Sequence, residues 1–564
     1  MEEALTLGSL VWDKKTIREW QDVLNSKIWE LEEFEEQAFQ PLLLSYYDLA
    51  PVVKRCLLYC AIFPKDYKLK KYRLIELWMS QNFVISNKNK NKRRIGQDCF
   101  ESLAMRSFLQ DFERDEFGDI VMCKMHDIVH DFVQFLTQKE CKIVEGNEKM
   151  EVLGGKVRHL TLTSVPYGEF SFPASFYNCE NVRTLTFFDS KLETISRDSM
   201  LQLKCLRTLR LGGNRWLKEV PKEIGGLIHL RYLDLSWSES LKEIPEAVCE
   251  CINLQTLDLR KCMGLEKLPK AMGKLINLKH LCVWGCSRLR YLPKGIGSLK
   301  RLQSLNWFII CVGEDVEAMK LGDLGSMNQL QGSLWIRGLG EKDDDASEIE
   351  KAQLGKKEHL SRIGVDFQGG LQRKGESEIV KAIQPHPNLE YLGIWRCHIL
   401  TAESLYWINS LHNLRRVSLY DWEFCEVLPP LGKLPSLESL EIQRMKKVKK
   451  VEVDFLAREE EEEVSETKIL FSKLKRLSFA GLENWEEWEG ITKVDSSEIT
   501  IMPRLSELTI LRCPKLKALP GFLYKIAALQ TLTILDCDIL AREYEKGVGK
   551  EWHNISHIQN LTIC

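Results

Sequence analysis

The sequence predicts an α/β protein: a curved solenoid whose parallel strands line a concave face, preceded by a small helical module of winged-helix type. Three observations carry this prediction. An apolar phrase returns with a step of 24 residues, a proline column returns with the same step, and the first 150 residues show neither and space their apolar residues as helices do.

In chain order, the first 50 residues read as helical. Ile17, Trp20 and Leu24 share one helical face, and Leu42 to Leu49 forms a second apolar patch after Pro41. A winged-helix-like module follows over residues 51–145. Pro51 to Phe63 is a helix carrying Arg55, Cys56, Tyr59, Cys60 and Ile62, and Pro64 stops it. Leu74, Leu77 and Trp78 continue the helical spacing. Asn87 to Arg94 is basic and apolar-free, and reads as a solvated loop between helices in preference to a nuclear-import patch. Ile120 to Met122 is a brief strand, and Ile128, Val129, Phe132, Phe135 and Leu136 make the last helix.

Residues 155–564 form the solenoid, in blocks of about 155–310 and 385–564 joined by an irregular segment. In the first block Leu206, Leu230, Leu254, Leu278 and Leu302 open successive phrases. Leu209, Leu233, Leu257, Leu281 and Leu305 follow three places later, then Leu211, Leu235, Leu259, Val283 and Trp307. This L-x-x-L-x-L recurrence is the signature of a leucine-rich repeat. One unit cannot bury its own apolar face, so neighbours stack into a continuous core. Pro221, Pro245, Pro269 and Pro293 suit an extended return path, where no strand hydrogen bond is lost.

Residues between the ladder positions are expected to point out of the concave face: Arg207, Thr208 and Arg210; Arg231, Tyr232, Asp234 and Ser236; Gln255, Thr256, Asp258 and Arg260; Lys279, His280, Cys282 and Trp284. Large aromatics interspersed with arginines are the material of binding hot spots. The expected partner-binding set is Arg231, Tyr232, Trp237, Arg260, Trp284, Trp395, Arg415 and Tyr420, with packing against neighbouring units as the alternative for each.

The second block resumes at Leu389, Leu414, Leu437, Leu474, Leu505 and Leu529, each opening the same phrase. Its longer steps hold insertions. The acidic runs Asp343 to Asp345 and Glu459 to Glu463 fall in such places and read as solvated loops. Glu551 to Ile558 reads as the closing cap that a solenoid needs.

Composition narrows the class. The 564 residues are 44% hydrophobic and 28% charged with net charge −2, which gives no electrostatic argument for nucleic acid or an anionic membrane. No apolar run has the length of a spanning helix, and the acidic start Met1-Glu2-Glu3-Ala4 lacks a signal-peptide core. Eighteen cysteines, several at repeat-related places such as Cys262, Cys286, Cys397 and Cys513, fit free thiols in a reducing compartment. The expected location is cytoplasmic, with the nucleus as a second compartment.

Cys56 to Tyr67 (Cys-Leu-Leu-Tyr-Cys-Ala-Ile-Phe-Pro-Lys-Asp-Tyr), Leu74 to Met79 (Leu-Ile-Glu-Leu-Trp-Met) and Met125-His126-Asp127 resemble three successive motifs of plant NB-ARC leucine-rich-repeat (NLR) disease-resistance proteins of the coiled-coil type. Leu324 to Leu339 resembles the linker between repeat blocks in that family. The resemblance implies an intracellular plant immune receptor, or its C-terminal part. Such a receptor recognises pathogen effectors or modified host proteins through its repeats and relays this through a nucleotide-dependent switch. It also implies that Met125, His126 and Asp127 form the switch motif, with His126 on the diphosphate of ADP. Were Asp127 to cap the following helix, His126 would stand beside a helix N-terminus, where a phosphate is favoured. On the residues alone, the pair is an ordinary helix cap.

The departure from the family is the missing G-x-x-x-x-G-K-[ST] loop; Gly547-Val548-Gly549-Lys550 has neither its spacing nor its hydroxyl. The chain is therefore expected to start inside the switch, after the P-loop lobe. ADP or ATP is expected only if that lobe is supplied, and no cofactor and no enzymatic activity for this chain alone. Partners are expected to be proteins, among them its own N-terminal lobe or full-length relatives, without nucleic acid, and with membranes met only through partners. The competing readings are a non-switching repeat scaffold, a truncated form acting in trans, and an ATPase completed by another chain. His126 and His130 share the spacing of a zinc-protease motif, but Asp127 replaces its glutamate and no third ligand is evident.

Overall fold

The computed structural model describes residues 34–86, 90–115, 118–146, 156–173, 179–311, 313, 315–340, 345–367, 375–398, 402–452, 455, 469–489 and 500–564. The expected helix around Ile17, Trp20 and Leu24, the run Glu459 to Glu463, and Asp343 and Asp344 lie outside them. The chain divides into two compact units, Met1–Arg288 and Leu289–Cys564.

The first unit opens with α1 (Phe34–Tyr47), α2 (Pro51–Tyr59), β1 (Leu69–Lys70), α3 (Lys71–Ser80), α4 (Lys92–Met105), β2 (Leu109–Arg114), β3 (Ile120–Met125) and α5 (Asp127–Thr137). The strands form an antiparallel sheet in the order β1-β3-β2. Pro51 sits in the first turn of α2, where its missing N–H has no partner to lose. Leu57, Cys60, Trp78, Phe100, Phe132 and Val133 close the core with no exposed surface. Helices α3 and α4 meet closely at Gly96: a Cβ there would lie 2.6 Å from Ile75 Cγ2. The basic stretch is not a loop throughout. Lys92, Arg93 and Arg94 form the first turn of α4, and the Asn91 side chain caps it by accepting from the Arg94 N–H at 2.8 Å. Cations are disfavoured at a helix N-terminus. The Asn91 cap and the burial of Cys99, Phe100 and Leu103 outweigh that cost.

The repeat sheet begins earlier than residue 155. Strand β4 (Cys141–Glu145), inside the span 51–145 expected for the winged-helix module, pairs instead in parallel with β5 (His159–Thr163), Cys141 opposite His159. Strand β6 (Gly168–Phe170) pairs with β8 (Leu192–Ile195) apart from the main sheet. The main sheet continues through β7 (Thr184–Phe188), β9 (Thr208–Arg210), β10 (Tyr232–Asp234), β11 (Thr256–Asp258) and β12 (His280–Cys282). Leu209, Leu233, Leu257 and Leu281 lie opposite one another. All four are fully buried, as are Leu206, Leu230, Leu254 and Leu278. The return path is less extended than its prolines suggest. Pro221, Pro245 and Pro269 are themselves extended, but each opens a 3-10 helix: Lys222–Gly226, Glu246–Glu250 and Lys270–Lys274. The buried thiols of Cys262 and Cys286 donate to the Leu235 and Leu259 carbonyls at 3.0 Å, tying each unit to the one before.

The second unit is built on a parallel sheet with strands adjacent in chain order: Trp307–Ile309, Gly332–Leu339, Leu360–Phe367, Tyr391–Trp395, Arg416–Tyr420, Ser439–Gln443, Arg476–Ala480, Glu507–Leu511, Thr531–Leu535 and Asn560–Ile563. Three expectations are corrected here. The segment between the blocks is not irregular, because Gly332–Leu339 and Leu360–Phe367 pair within this sheet and the helices Asp345–Ala352 and Glu376–Ile383 follow them. Asp345 is not solvated; it is buried and accepts from the Gly340 N–H at 2.8 Å. Trp307 is not a core rung, since the ladder slips by one and Phe308 is the residue with no exposed surface. The terminal helix Trp552–Ile555 and the half-exposed last strand close the array. Among the described residues no helix is long and apolar enough to cross a membrane.

Candidate regulatory interface and recognition surface

In the first unit the winged-helix module covers the strand face of the early repeats. Each repeat places small polar side chains there, and α3 meets them with complementary groups. Ser80 Oγ lies 2.8 Å from Thr208 Oγ1, and Gln81 donates to Thr208 and Thr184 at 2.9 and 3.2 Å. Tyr59 OH stands 3.1 Å from Thr184 Oγ1. At the centre Arg73 reaches Asp258 at 3.2 Å and Asp234 at 3.7 Å. These two carboxylates occupy the same place in consecutive repeats and are paired in register on β10 and β11.

The electrostatics follow from this burial. Burial alone opposes ionisation of Asp234, but the guanidinium groups of Arg73 and Arg210, with the Ser236 hydroxyl and N–H, hold its carboxyl down to about 2. For Glu76, on the same helix, burial outweighs the neighbouring guanidinium charges. Burial pushes its carboxyl up to about 7, against the opposing pull of Arg93, whose guanidinium lies 3.5 Å away. Burial likewise drives the imidazoles of His159 and His280 down to about 3, keeping both neutral.

Part of the expected partner-binding set is therefore already engaged. Tyr232 is removed from it: the ring is fully buried beneath the module, as are Thr208, Asp234, Ser236, Thr256, Asp258 and His280. Arg231 donates to the Ser80 carbonyl at 3.2 Å. Arg260 grips Asp258 and Tyr72 OH, and its guanidinium lies over the Tyr72 ring at 4.9 Å. Trp237 and Trp284 remain outside this contact, 42% and 44% exposed, with the Lys261 ammonium 5.8 and 4.1 Å from their rings.

Met125 ends β3 in the core, and His126 occupies the position before the first turn of α5. Asp127 does not cap the helix; it is the first helical residue, exposed, where a carboxylate suits the helix dipole. His126 is buried and donates its main-chain N–H to the Phe108 carbonyl at 3.3 Å. His130 turns Nε2 to the Phe63 carbonyl at 3.0 Å, which commits that nitrogen to a structural contact.

In the second unit the strand face carries flat-lying aromatic rings. Trp335 packs on Trp395 at 4.8 Å and Tyr391 at 5.8 Å. Glycines make the room: a Cβ on Gly364 would lie 2.1 Å from Trp335, and one on Gly393 would lie 1.9 Å from Trp395. The guanidinium of Arg416 lies 5.8 Å from the Tyr391 ring and that of Arg444 5.2 Å from Tyr420. Arg415 lies at the edge instead, paired with Glu438 at 2.8 Å. Trp395, Tyr420 and Arg415 are each half-buried. Sequence reasoning missed Trp335, Tyr391, Tyr72 and Arg73. The signals were present: glycine in mid-strand marks a close approach, and two aspartates at one repeat position require a cation.

Residues 181–510 match the family profile of the leucine-rich repeat region. This chain belongs to the leucine-rich-repeat family. Residues 62–133 of this repeat protein also match the winged helix domain of disease resistance proteins, the segment that holds α3, the three-stranded sheet and most of α5. Among its relatives is the disease resistance protein RGA2 of Solanum bulbocastanum, 33% identical over 568 residues, which cover 99% of this chain and 53% of that protein. The disease resistance protein RPM1 of Arabidopsis thaliana is 33% identical over 137 residues, 24% of this chain and 15% of that protein. The chain spans about half the length of the first curated relatives it matches along most of its own length: 41%, 53% and 51% of three of them.

Proposed function

We propose that this leucine-rich-repeat protein acts in plant immunity, recognising a pathogen effector or a modified host protein and passing the event to a nucleotide-dependent switch through its winged helix. One observation carries the reading: the winged helix is seated on the repeats by the buried cluster Arg73–Asp234–Asp258. A partner that strains the repeats acts directly on the switch module, because the two share buried charges that cannot be exposed separately at low cost. With the strand face of the first unit occupied, recognition falls to the aromatic face of the second, around Trp335, Tyr391, Trp395 and Tyr420. The exposed Trp237 and Trp284 form a second contact.

The chain works by binding and not by chemistry. ADP or ATP enters only when a phosphate-binding lobe is supplied, and His126 at the head of α5 is then the contact to the diphosphate. The protein operates in the cytoplasm, with the nucleus as a second compartment. The test is a photo-crosslinking amino acid placed at Tyr391 in chain expressed in leaf tissue. Crosslinks from that position to a second protein in infected tissue, lost in Trp335→Ala with Trp395→Ala, are expected. Crosslinks confined to this chain itself in both tissues would sink the assignment of the recognition face.

A further inference from the structure

At the end of β3 away from His126, a cleft of about 390 Å³ opens between β3, α3 and α4. Its floor is aliphatic, made by Ile75, Ile120, Val121 and Met122, and its rim is cationic, made by Lys70, Lys71 and Arg93. Tyr72 and Gln97 complete the lining, and such a volume, with an aliphatic floor beside three cations, suits a ligand rather than water alone. Lys71 reaches Glu101 only at 4.0 Å, and Arg93 reaches Glu76 at 3.5 Å. Lys70 meets no carboxylate among the described residues. Partial desolvation, together with the nearby charges of Arg73 and Arg260, lowers its pKa although the side chain is open to solvent, so an incoming anion would relieve an unfavourable field.

The sheet supplies the second observation. Strand β1 is two residues long and pairs only Leu69 with Cys123 and Lys70 with Met122. It stops there because α3 begins at Lys71. Strand β2 continues along the other side of β3, Arg114 opposite Ile120. Among the described residues, Ile120 and Val121 are therefore without a neighbouring strand on the β1 side, and this open edge borders the cleft. An unpaired edge is a template for a further strand.

We propose that this cleft binds an extended peptide segment of a protein partner, which prolongs the line of β1 along Ile120–Val121, sets an aliphatic side chain against Ile75 and Val121, and brings a carboxylate on its other face to Lys70, which shares the face of its register partner Met122. The main-chain hydrogen bonds supply affinity, and the alternation of aliphatic and acidic side chains supplies specificity, because successive side chains of a strand point to opposite faces. A detached carboxylate amphiphile would use the floor and the rim but not the edge, which is why the peptide is the occupant that accounts for both observations.

The test uses the whole purified chain and a fluorescein-labelled peptide, Val-Asp-Val-Glu-Val-Asp-Val, followed by anisotropy at low salt. Saturable binding is expected, with slowed hydrogen exchange over residues 118–123. Lys70→Glu is expected to weaken it about tenfold, the scale of one charge contact at a partly desolvated site. Lys70 is exposed, so the variant is expected to fold, which an unchanged circular-dichroism melt checks. Backbone N-methylation of the peptide is expected to weaken binding as well. Equal binding of a Val/Lys peptide, or full affinity in Lys70→Glu, overturns the proposal. Displacement by decanoate with no effect of N-methylation overturns it in favour of an amphiphile site.

Discussion

Arg73→Ala isolates the contact that seats the winged helix on the repeats. Arg73 is the α3 side chain that bridges two buried carboxylates, Asp234 and Asp258. Removing one partner of a buried ion pair costs about 3–5 kcal/mol. The lower end applies, because Arg210 still stands 3.4 Å from Asp234 and Arg260 still grips Asp258. The expected loss is thus about 3 kcal/mol, which at about 1.4 kcal/mol per decade raises the opening of α3 from the strand face about a hundredfold. Native-state hydrogen exchange reads this directly, through peptides covering 71–80 and 232–236. Protection should fall in both. Arg73→Lys should fall between, since an ammonium cannot span both carboxylates as a guanidinium does. A change of less than about threefold in either peptide would refute the view that this cluster controls docking.

Three further outcomes are expected. Burial raises the Glu76 carboxyl from 4.5 to about 7, so the folded form holds its proton more tightly than the unfolded chain. Stability should therefore be full below about pH 4.5 and decline as pH rises to 7, by up to about 3 kcal/mol, and urea melts of Glu76→Gln should lack that decline. Lys357 is fully buried, and its ammonium donates to the Leu324 carbonyl at 2.6 Å and to Asn328 Oδ1 at 3.0 Å. Lys357→Met leaves those acceptors without a donor and should cost about 2 kcal/mol in a denaturant titration. Gly393→Ala drives a methyl into Trp395 and should cost about 1–3 kcal/mol, with a changed near-ultraviolet circular dichroism from the Trp335–Trp395 pair; an unchanged spectrum would show that the ring was never held there.

The periodic leucines made the solenoid legible, because burial of a period-2 face on stacked units depends on spacing alone. Leu209, Leu233, Leu257 and Leu281 needed no tertiary information to be placed opposite one another. The chain between residues 310 and 385 was harder. Its core residues Leu360, Ile363 and Val365 keep the spacing, but longer strands and two α-helices change the step between units, and a fixed-period reading passes over them. The slip from Trp307 to Phe308 has the same origin: an aromatic next to an aromatic satisfies the pattern in either register.

What the sequence determined by itself is therefore the repeat core and the helical module, both set by local apolar spacing. Which polar residues are free was decided only by tertiary structure. Tyr232, Asp234 and Asp258 look outward in every repeat considered singly, yet in the fold they are buried because α3 lies across them. Arg73 precedes those aspartates by more than 150 residues. No local rule links residues so far apart. Only the closing of one element on another desolvates them together, and desolvation is what turns scattered surface charges into a buried, mutually dependent cluster.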